Sequence, residues 1–327
     1  MKRYFSAAVL AVIFFHFFGG SVAVDSTIPE ATVTADEMVA AEPAEKPEKK
    51  IDYKKLIKNL DKKLVWKMVI DGRYHSKGKY VCDVGGKVGK NLQAAKEPGY
   101  LRAMLKAFKY MVGTIDRKKL DENLFREFHK RALTKVGIYY KFDCTDYWGD
   151  EHEHASFPVG KRNSTKKGRK ELFEKKKHGW KCERKLKPVI RTVNNKPGNR
   201  LFGYVSKSPK EARNFAKLTF KTYYEKLNEL KKNGKVEGTW LPEDSSEEDK
   251  KLEIIIRICQ CLDQAHTFYD GNIRTIVFLT MNKMLVENDL SPVCMWNPNC
   301  LDMMDVETLI GKIKEGQEKF RKIFIKD

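Results

Sequence analysis

Apolar residues return every three or four positions along most of this chain, the spacing that puts them on one face of a helix. Tyr53, Leu56, Ile57, Leu60, Leu64 and Met68 keep this spacing from about residue 51. After Pro98-Gly99, a second stripe holds Leu101, Met104, Leu105, Phe108, Met111 and Val112. Leu120, Leu124, Phe128 and Ala132 make a third. Ser208 with Glu211 reads as a capping box, with Pro209 at the first helical position and Gly234 as the stop. Phe215, Thr219, Tyr223, Leu227 and Leu230 line that helix. Ser245 with Glu248 offers another capping box, opening a helix to about Gln264. Its Leu252, Ile255, Ile256, Cys259 and Leu262 share one face, while Ile254, Ile258 and Cys261 share another, so it is predicted to be buried. The next helix, about 273 to 287, is also mostly apolar, and an amphipathic one follows from Asp305 to Phe324.

The period switches to extended structure in a few places. Val189–Val193 is β-branched, Asn194–Asn199 has turn chemistry, and Leu201–Val205 is extended again, which predicts a β-hairpin. Short strands are expected at Tyr80–Val84 and Gly137–Phe142, and residues 143–187 read as irregular. The fold class is therefore mainly α. A helical N-terminal region spans 51–187, and a helical core with a hairpin spans 188–327.

The first fifty residues follow neither period. Lys2 and Arg3 precede an apolar run from Tyr4 to Phe18, and Gly19, Gly20, Ser21 and Ala23 follow. This is the pattern of a signal peptide, 1–23, cleaved near Ala23. The run is shorter than a spanning helix needs. The expectation is a secreted or periplasmic chain with no transmembrane span once mature. Residues 24–50 hold seven acids and three lysines, are rich in Ala, Glu, Pro and Thr and lack aromatics, and read as a disordered linker.

Charge narrows the partners. The net charge is +20, so anions of some kind are favoured. Residues 161–187 carry thirteen Lys or Arg against three acids, a candidate surface for an anionic partner and otherwise a solvated basic loop. The sparse aromatics there, Phe173 and Trp180, argue against a base-stacking platform. Export would allow some of the seven cysteines to pair, with Cys294 and Cys300 flanking a local turn as one plausible bridge. Asp150–His154 alternates acids with histidines, but an exposed polar loop explains it better than zinc. Asn163-Ser164-Thr165 fits a glycosylation sequon.

The strongest chemistry lies between the two apolar helices, in His266-Thr267-Phe268-Tyr269-Asp270-Gly271-Asn272-Ile273-Arg274. A helix N-terminus presents free N–H groups to an anion. Gly271 lets the backbone approach a ligand closely. Asp270 suits Mg²⁺, which takes one or two carboxylates plus phosphate oxygens. Arg274, one turn on, suits phosphate. His266 titrates near neutrality and suits a general base.

These nine residues resemble the signature of the Fic family, within the Fic/Doc (Fido) group, usually written His-Pro-Phe-x-Asp/Glu-Gly-Asn-Gly-Arg. His266, Phe268, Asp270, Gly271, Asn272 and Arg274 match in place, between two central helices of an all-α core, with the hairpin standing where the family has a flap. The resemblance covers roughly 188–290. It implies transfer of AMP from ATP to a Ser, Thr or Tyr hydroxyl of a target protein. His266 would be the base and Asp270 the Mg²⁺ ligand. Backbone at Gly271 and Asn272 would hold the phosphate oxygens with the Asn272 side chain helping, Ile273 would stand beside them, Arg274 would neutralise the leaving phosphates, and Phe268 would anchor the loop. Three positions depart: Thr267 replaces Pro, Ile273 replaces the second Gly, and Val277 stands where many active members have a further Arg. No match to the family's inhibitory helix motif is found. A Doc-like phosphotransferase, transfer of another nucleotide, and an inactive basic binding scaffold therefore stay open.

Overall fold

The computed structural model describes residues 51–79, 97–136, 146–148, 154–158, 180, 187–193, 196–204, 208–301 and 304–325. The leader 1–23, the linker 24–50, the strands expected at Tyr80–Val84 and Gly137–Phe142, Asp150–Glu153, the sequon and nearly all of 161–187 lie outside the described residues.

The chain folds into helices where the apolar spacing predicts them, with one break. Helix α1 (Tyr53–Lys58) starts where the Asp52 carboxylate accepts the Lys55 N–H at 2.9 Å. It ends at Asn59 rather than continuing to Met68. Asp61 restarts the chain by accepting the Lys63 N–H on its side chain and the Leu64 and Val65 N–H groups on its carbonyl. A 3₁₀ turn, Val65–Met68, follows. Both pieces still bury an apolar residue, Ile57 and Met68, which is why one stripe covered both.

Helices α2 (Tyr100–Thr114) and α3 (Glu122–Leu133) pack together, the second capped by Asp121 accepting the Leu124 N–H at 2.7 Å. Strands β1 (His154–Pro158), β2 (Lys187–Val193) and β3 (Lys196–Tyr204) form an antiparallel sheet in the order β1-β3-β2. Val193 pairs with Lys196, so 196–199, read as turn, belong to β3, while Asn194 and Asn195 lie outside the described residues. Strand β1 falls inside a stretch read as irregular. His-Ala-Ser-Phe-Pro has no clear alternation of its own, and its pairing is supplied by β3.

Helix α4 (Pro209–Asn233) begins with Ser208 accepting the Glu211 N–H at 3.2 Å and ends at Gly234 with φ +65°, as its signals predict. Helix α5 (Glu247–Gln264) is capped by Ser246, whose Oγ accepts the Asp249 N–H at 3.1 Å. The cap is thus one residue later than Ser245. The segment after the loop is a π-helix over Arg274–Met281 that tightens into α6 (Asn282–Glu287), where a single regular helix was expected. Helix α7 (Val306–Phe324) starts on Asp305, which accepts the Thr308 N–H at 2.8 Å.

The core centres on α5 and the π-helical segment. Ile254, Ile255, Ile256 and Ile258 are all fully buried, as are Ile276, Val277 and Leu279. Helices α4 and α7 cover α5, and α2 and α3 cover the π-helical segment. Cys259, Cys261, Cys294 and Cys300 are buried and form no disulfide among the described residues. The Cys294–Cys300 bridge is not formed; the Cys294 thiol lies 3.5 Å from the Met68 sulfur and packs as an apolar side chain. Arg257, buried in α5, pairs with Glu253 at 3.2 Å, and the Trp180 ring lies 4.0 Å above its guanidinium. Trp180 is therefore an anchor in the core, in a stretch whose neighbours are basic. No helix among the described residues is long and apolar enough to cross a membrane.

Candidate functional site

The nine-residue loop joins the end of α5 to the π-helical segment, and its middle is pinned from inside. Phe268 is completely buried. The His129 ring of α3 lies flat on it, 3.7 Å away with planes 4° apart, and the Tyr147 ring stacks at 5.0 Å. His129 is oriented in turn by Thr275, whose Oγ1 lies 3.0 Å from Nδ1. Asn272 closes the loop on itself: its carbonyl oxygen accepts the Phe268 N–H at 3.0 Å and its amide donates to the Phe268 carbonyl at 2.8 Å. The Asn272 side chain is thus spent on the loop's own backbone.

Gly271 is required by conformation and by space. Its φ is +75°, and a Cβ there would come within 3.0 Å of Leu133 and 3.4 Å of His129. The Asp270 carboxylate accepts the Gly271 N–H, and Asp270 is half-buried. Ile273 packs its side chain against the core. Arg274 donates to both oxygens of Glu97, at 2.6 and 2.5 Å, and sits 4.9 Å from the centre of the Tyr100 ring.

His266 stands at the α5 end with φ +47°, an uncommon conformation for a residue with a side chain. It is half-buried. Its Nε2 lies 3.3 Å from the Tyr269 carbonyl, and the Trp148 ring meets it edge-on at 5.9 Å. Burial pushes its pKa below the ordinary 6.5, with the Tyr269 carbonyl and the Asp270 charge pulling the other way. The imidazole is therefore neutral at pH 7 and able to accept a proton. One turn back, Asp263 is buried, and its Oδ2 has no hydrogen-bond partner among the described residues. Burial pushes this carboxyl up to about 7.

A second strand-like segment flanks the loop. Tyr147 bridges to Phe268, and the Trp148 N–H donates to the Thr267 carbonyl at 3.0 Å. Trp148 and Tyr269 meet edge to face at 5.3 Å, and Tyr269 is 55% exposed, so an aromatic corner opens beside His266.

The loop carries His266, Asp270 and Gly271 between α5 and the π-helical segment, which Arg274 opens. Glu97, His129 and Trp148 reach the loop from distant segments, and no sequence motif marks them. His129 lies beside Phe128 on the buried face of α3, but nothing in the sequence pairs it with Phe268 or Glu97 with Arg274. Among the described residues, no group of three or more His, Cys, Asp or Glu side chains is placed to hold a metal. Asp270 is the loop's one carboxylate.

No protein-family model matches the chain. The chain is similar to a phosphocholine transferase. That protein is AnkX of Legionella pneumophila, 24% identical over 291 residues, which cover 77% of this chain and 27% of AnkX. The match therefore spans about a quarter of the curated relative's length.

Proposed function

We propose that the loop 266–274 is the active site of a Fic-type transferase that moves a phosphate-linked group from an activated donor onto a hydroxyl of a target protein. The observation that carries this is a half-buried, neutral imidazole next to a carboxylate and a glycine-opened helix start that ends in Arg274. Six motif matches and the similarity to a phosphocholine transferase support the same class.

His266 takes the proton from the incoming hydroxyl. The hydroxyl oxygen forms a bond to the donor phosphorus, and the phosphoanhydride bond breaks, so the leaving phosphate carries away the electron pair. Backbone N–H groups at the opening of the π-helical segment hold the non-bridging oxygens. Arg274 neutralises the leaving phosphates, exchanging Glu97 for them. Asp270 would hold Mg²⁺: it is the loop's one carboxylate, half-buried at the opening of the π-helical segment, and that ion takes one or two carboxylates with phosphate oxygens completing its shell. When bound, the ion would supply charge neutralisation. In the hairpin, β2 lies at an edge of the sheet among the described residues, so an extended segment of the target can add to it as a strand.

The sequence-based reading of the donor is ATP, with AMP transferred and pyrophosphate leaving. The aromatic corner of Trp148 and Tyr269 favours a second reading, phosphocholine, because a quaternary ammonium is attracted to aromatic faces. Three labelled donors separate the readings in a lysate: ATP labelled at the α-phosphate, ATP labelled at the γ-phosphate, and a nucleoside-diphosphate choline labelled in the phosphocholine. The first marks AMP transfer, the second a Doc-like kinase, the third phosphocholine transfer. Absence of label from all of them, with other nucleotide donors also failing, defeats the enzymatic reading and leaves a binding scaffold.

A further inference from the structure

A second charged surface lies on the other side of α2 and α3. On α2, Lys106, Lys109, Tyr110 and Gly113 follow one another at helical spacing, and Arg117 continues the row beyond the helix end. With Lys118 of the connecting turn and Arg131 of α3 they line an open groove of about 530 Å³, within the size range of small-ligand sites. Arg131 is two residues from His129, so the two side chains leave α3 on nearly opposite faces. The start of α2, at Tyr100, stacks on Arg274, whereas Gly113 is ~20 Å further along the helix at 1.5 Å per residue. The groove is separate from the loop site.

Three observations set it apart from ordinary basic surface. First, its charge is largely unbalanced. Lys106, Lys109 and Arg117 have no ion-pair partner among the described residues, and the one carboxylate paired to a lining cation is Glu127, 3.6 Å from Arg131. Asp116, the acid in the turn, pairs with Lys54 and Lys58 at 3.3 and 3.6 Å. Second, the cations are organised around one ring. The Arg131 guanidinium lies 3.8 Å from the Tyr110 ring centre, and Lys118 donates to the Tyr110 hydroxyl at 3.4 Å. Tyr110 is in turn seated edge-on against buried Phe128 at 6.1 Å. Third, Gly113 is helical and exposed, and a Cβ there would meet nothing within 4 Å. Packing does not demand this glycine, and it costs helix stability. What its missing side chain does supply is an open floor to the groove.

We infer that this groove is a binding site for a multiply phosphorylated small molecule. Clustered phosphate monoesters match five cations gathered around one open groove, and the Arg131 guanidinium, over the Tyr110 ring with one nitrogen 3.6 Å from Glu127, has further N–H groups for phosphate oxygens. The phosphates can be those of a free compound or of a lipid headgroup.

The test uses the full chain with inositol hexakisphosphate as the free probe and vesicles carrying a bisphosphorylated phosphoinositide as the lipid probe. Calorimetry should show one saturable site, weakened by salt. Lys109→Glu with Arg117→Glu should weaken binding at least ~tenfold. Gly113→Leu should weaken it while leaving the melting temperature unchanged or higher, since the added side chain fills the groove and favours the helix. Binding of the free probe assigns a soluble ligand; binding to vesicles alone assigns a lipid. Either supports the site. Failure of both probes to bind, or binding untouched by Gly113→Leu and the double variant, overturns it, as does a single-stranded RNA that binds this groove more tightly than either probe.

Discussion

Arg274 is held by both carboxylate oxygens of Glu97, a residue 177 positions earlier in the chain. The two side chains are nearly out of solvent, at 14% and 16% exposure, so the pair is stronger than a surface ion pair. In the proposed reaction the donor phosphates take the place that Glu97 holds. Glu97→Gln should therefore tighten donor binding, by roughly 3- to 10-fold if the lost competition is a charge-assisted pair. Equilibrium binding of the donor to both proteins measures it. Weaker binding in the variant would show that Glu97 orients Arg274 for the donor instead.

His266→Ala should abolish transfer with little change in fold, because the side chain is half-buried at the loop's edge. The acid limb of the rate profile carries the same assignment. The reactive form is the neutral ring, and burial lowers its pKa below 6.5. Activity should hold from neutrality down past pH 6.5, then fall as the ring protonates. A limb centred above 6.5 would count against His266 as the base.

Gly271→Ala tests the loop's geometry. The substitution places a Cβ at φ +75° and against Leu133 and His129. The expected loss is roughly 1–3 kcal/mol of stability, measured by denaturant unfolding, together with weakened donor binding.

Phe268→Ala removes the ring between His129 and Tyr147 from a fully buried site. It should cost roughly 3–5 kcal/mol. A loss under about 1 kcal/mol would mean that the loop is not anchored from inside.

Asp263 gives a pH signature of its own. The folded carboxyl keeps its proton up to about pH 7, while the unfolded one releases it near the ordinary 3.8. Between those values the folded state binds more protons, so stability is full below 3.8 and declines as pH rises towards 7. Asp263→Asn should remove that decline and raise stability at pH 8 by roughly 1–4 kcal/mol, as read from unfolding curves across the range.

The helical signals worked where local chemistry decides the outcome. Ser208 and Gly234 make the caps expected of them, because a cap is a contact between residues a few positions apart. The break at Asn59, the cap at Ser246 rather than Ser245 and the strand β1 depart from the sequence pattern, since each turns on competition between nearly equal local options that packing resolves.

The candidate site divides in the same way. Sequence alone determined that an imidazole, a carboxylate, a glycine and an arginine share one helix–loop–helix turn, because their spacing is covalent. Tertiary structure decided that Glu97 holds Arg274, that His129 and Tyr147 clasp Phe268, and that Asn272 turns its side chain inward. Those contacts join segments up to 177 residues apart, and no local period encodes which distant side chain will fill a buried space.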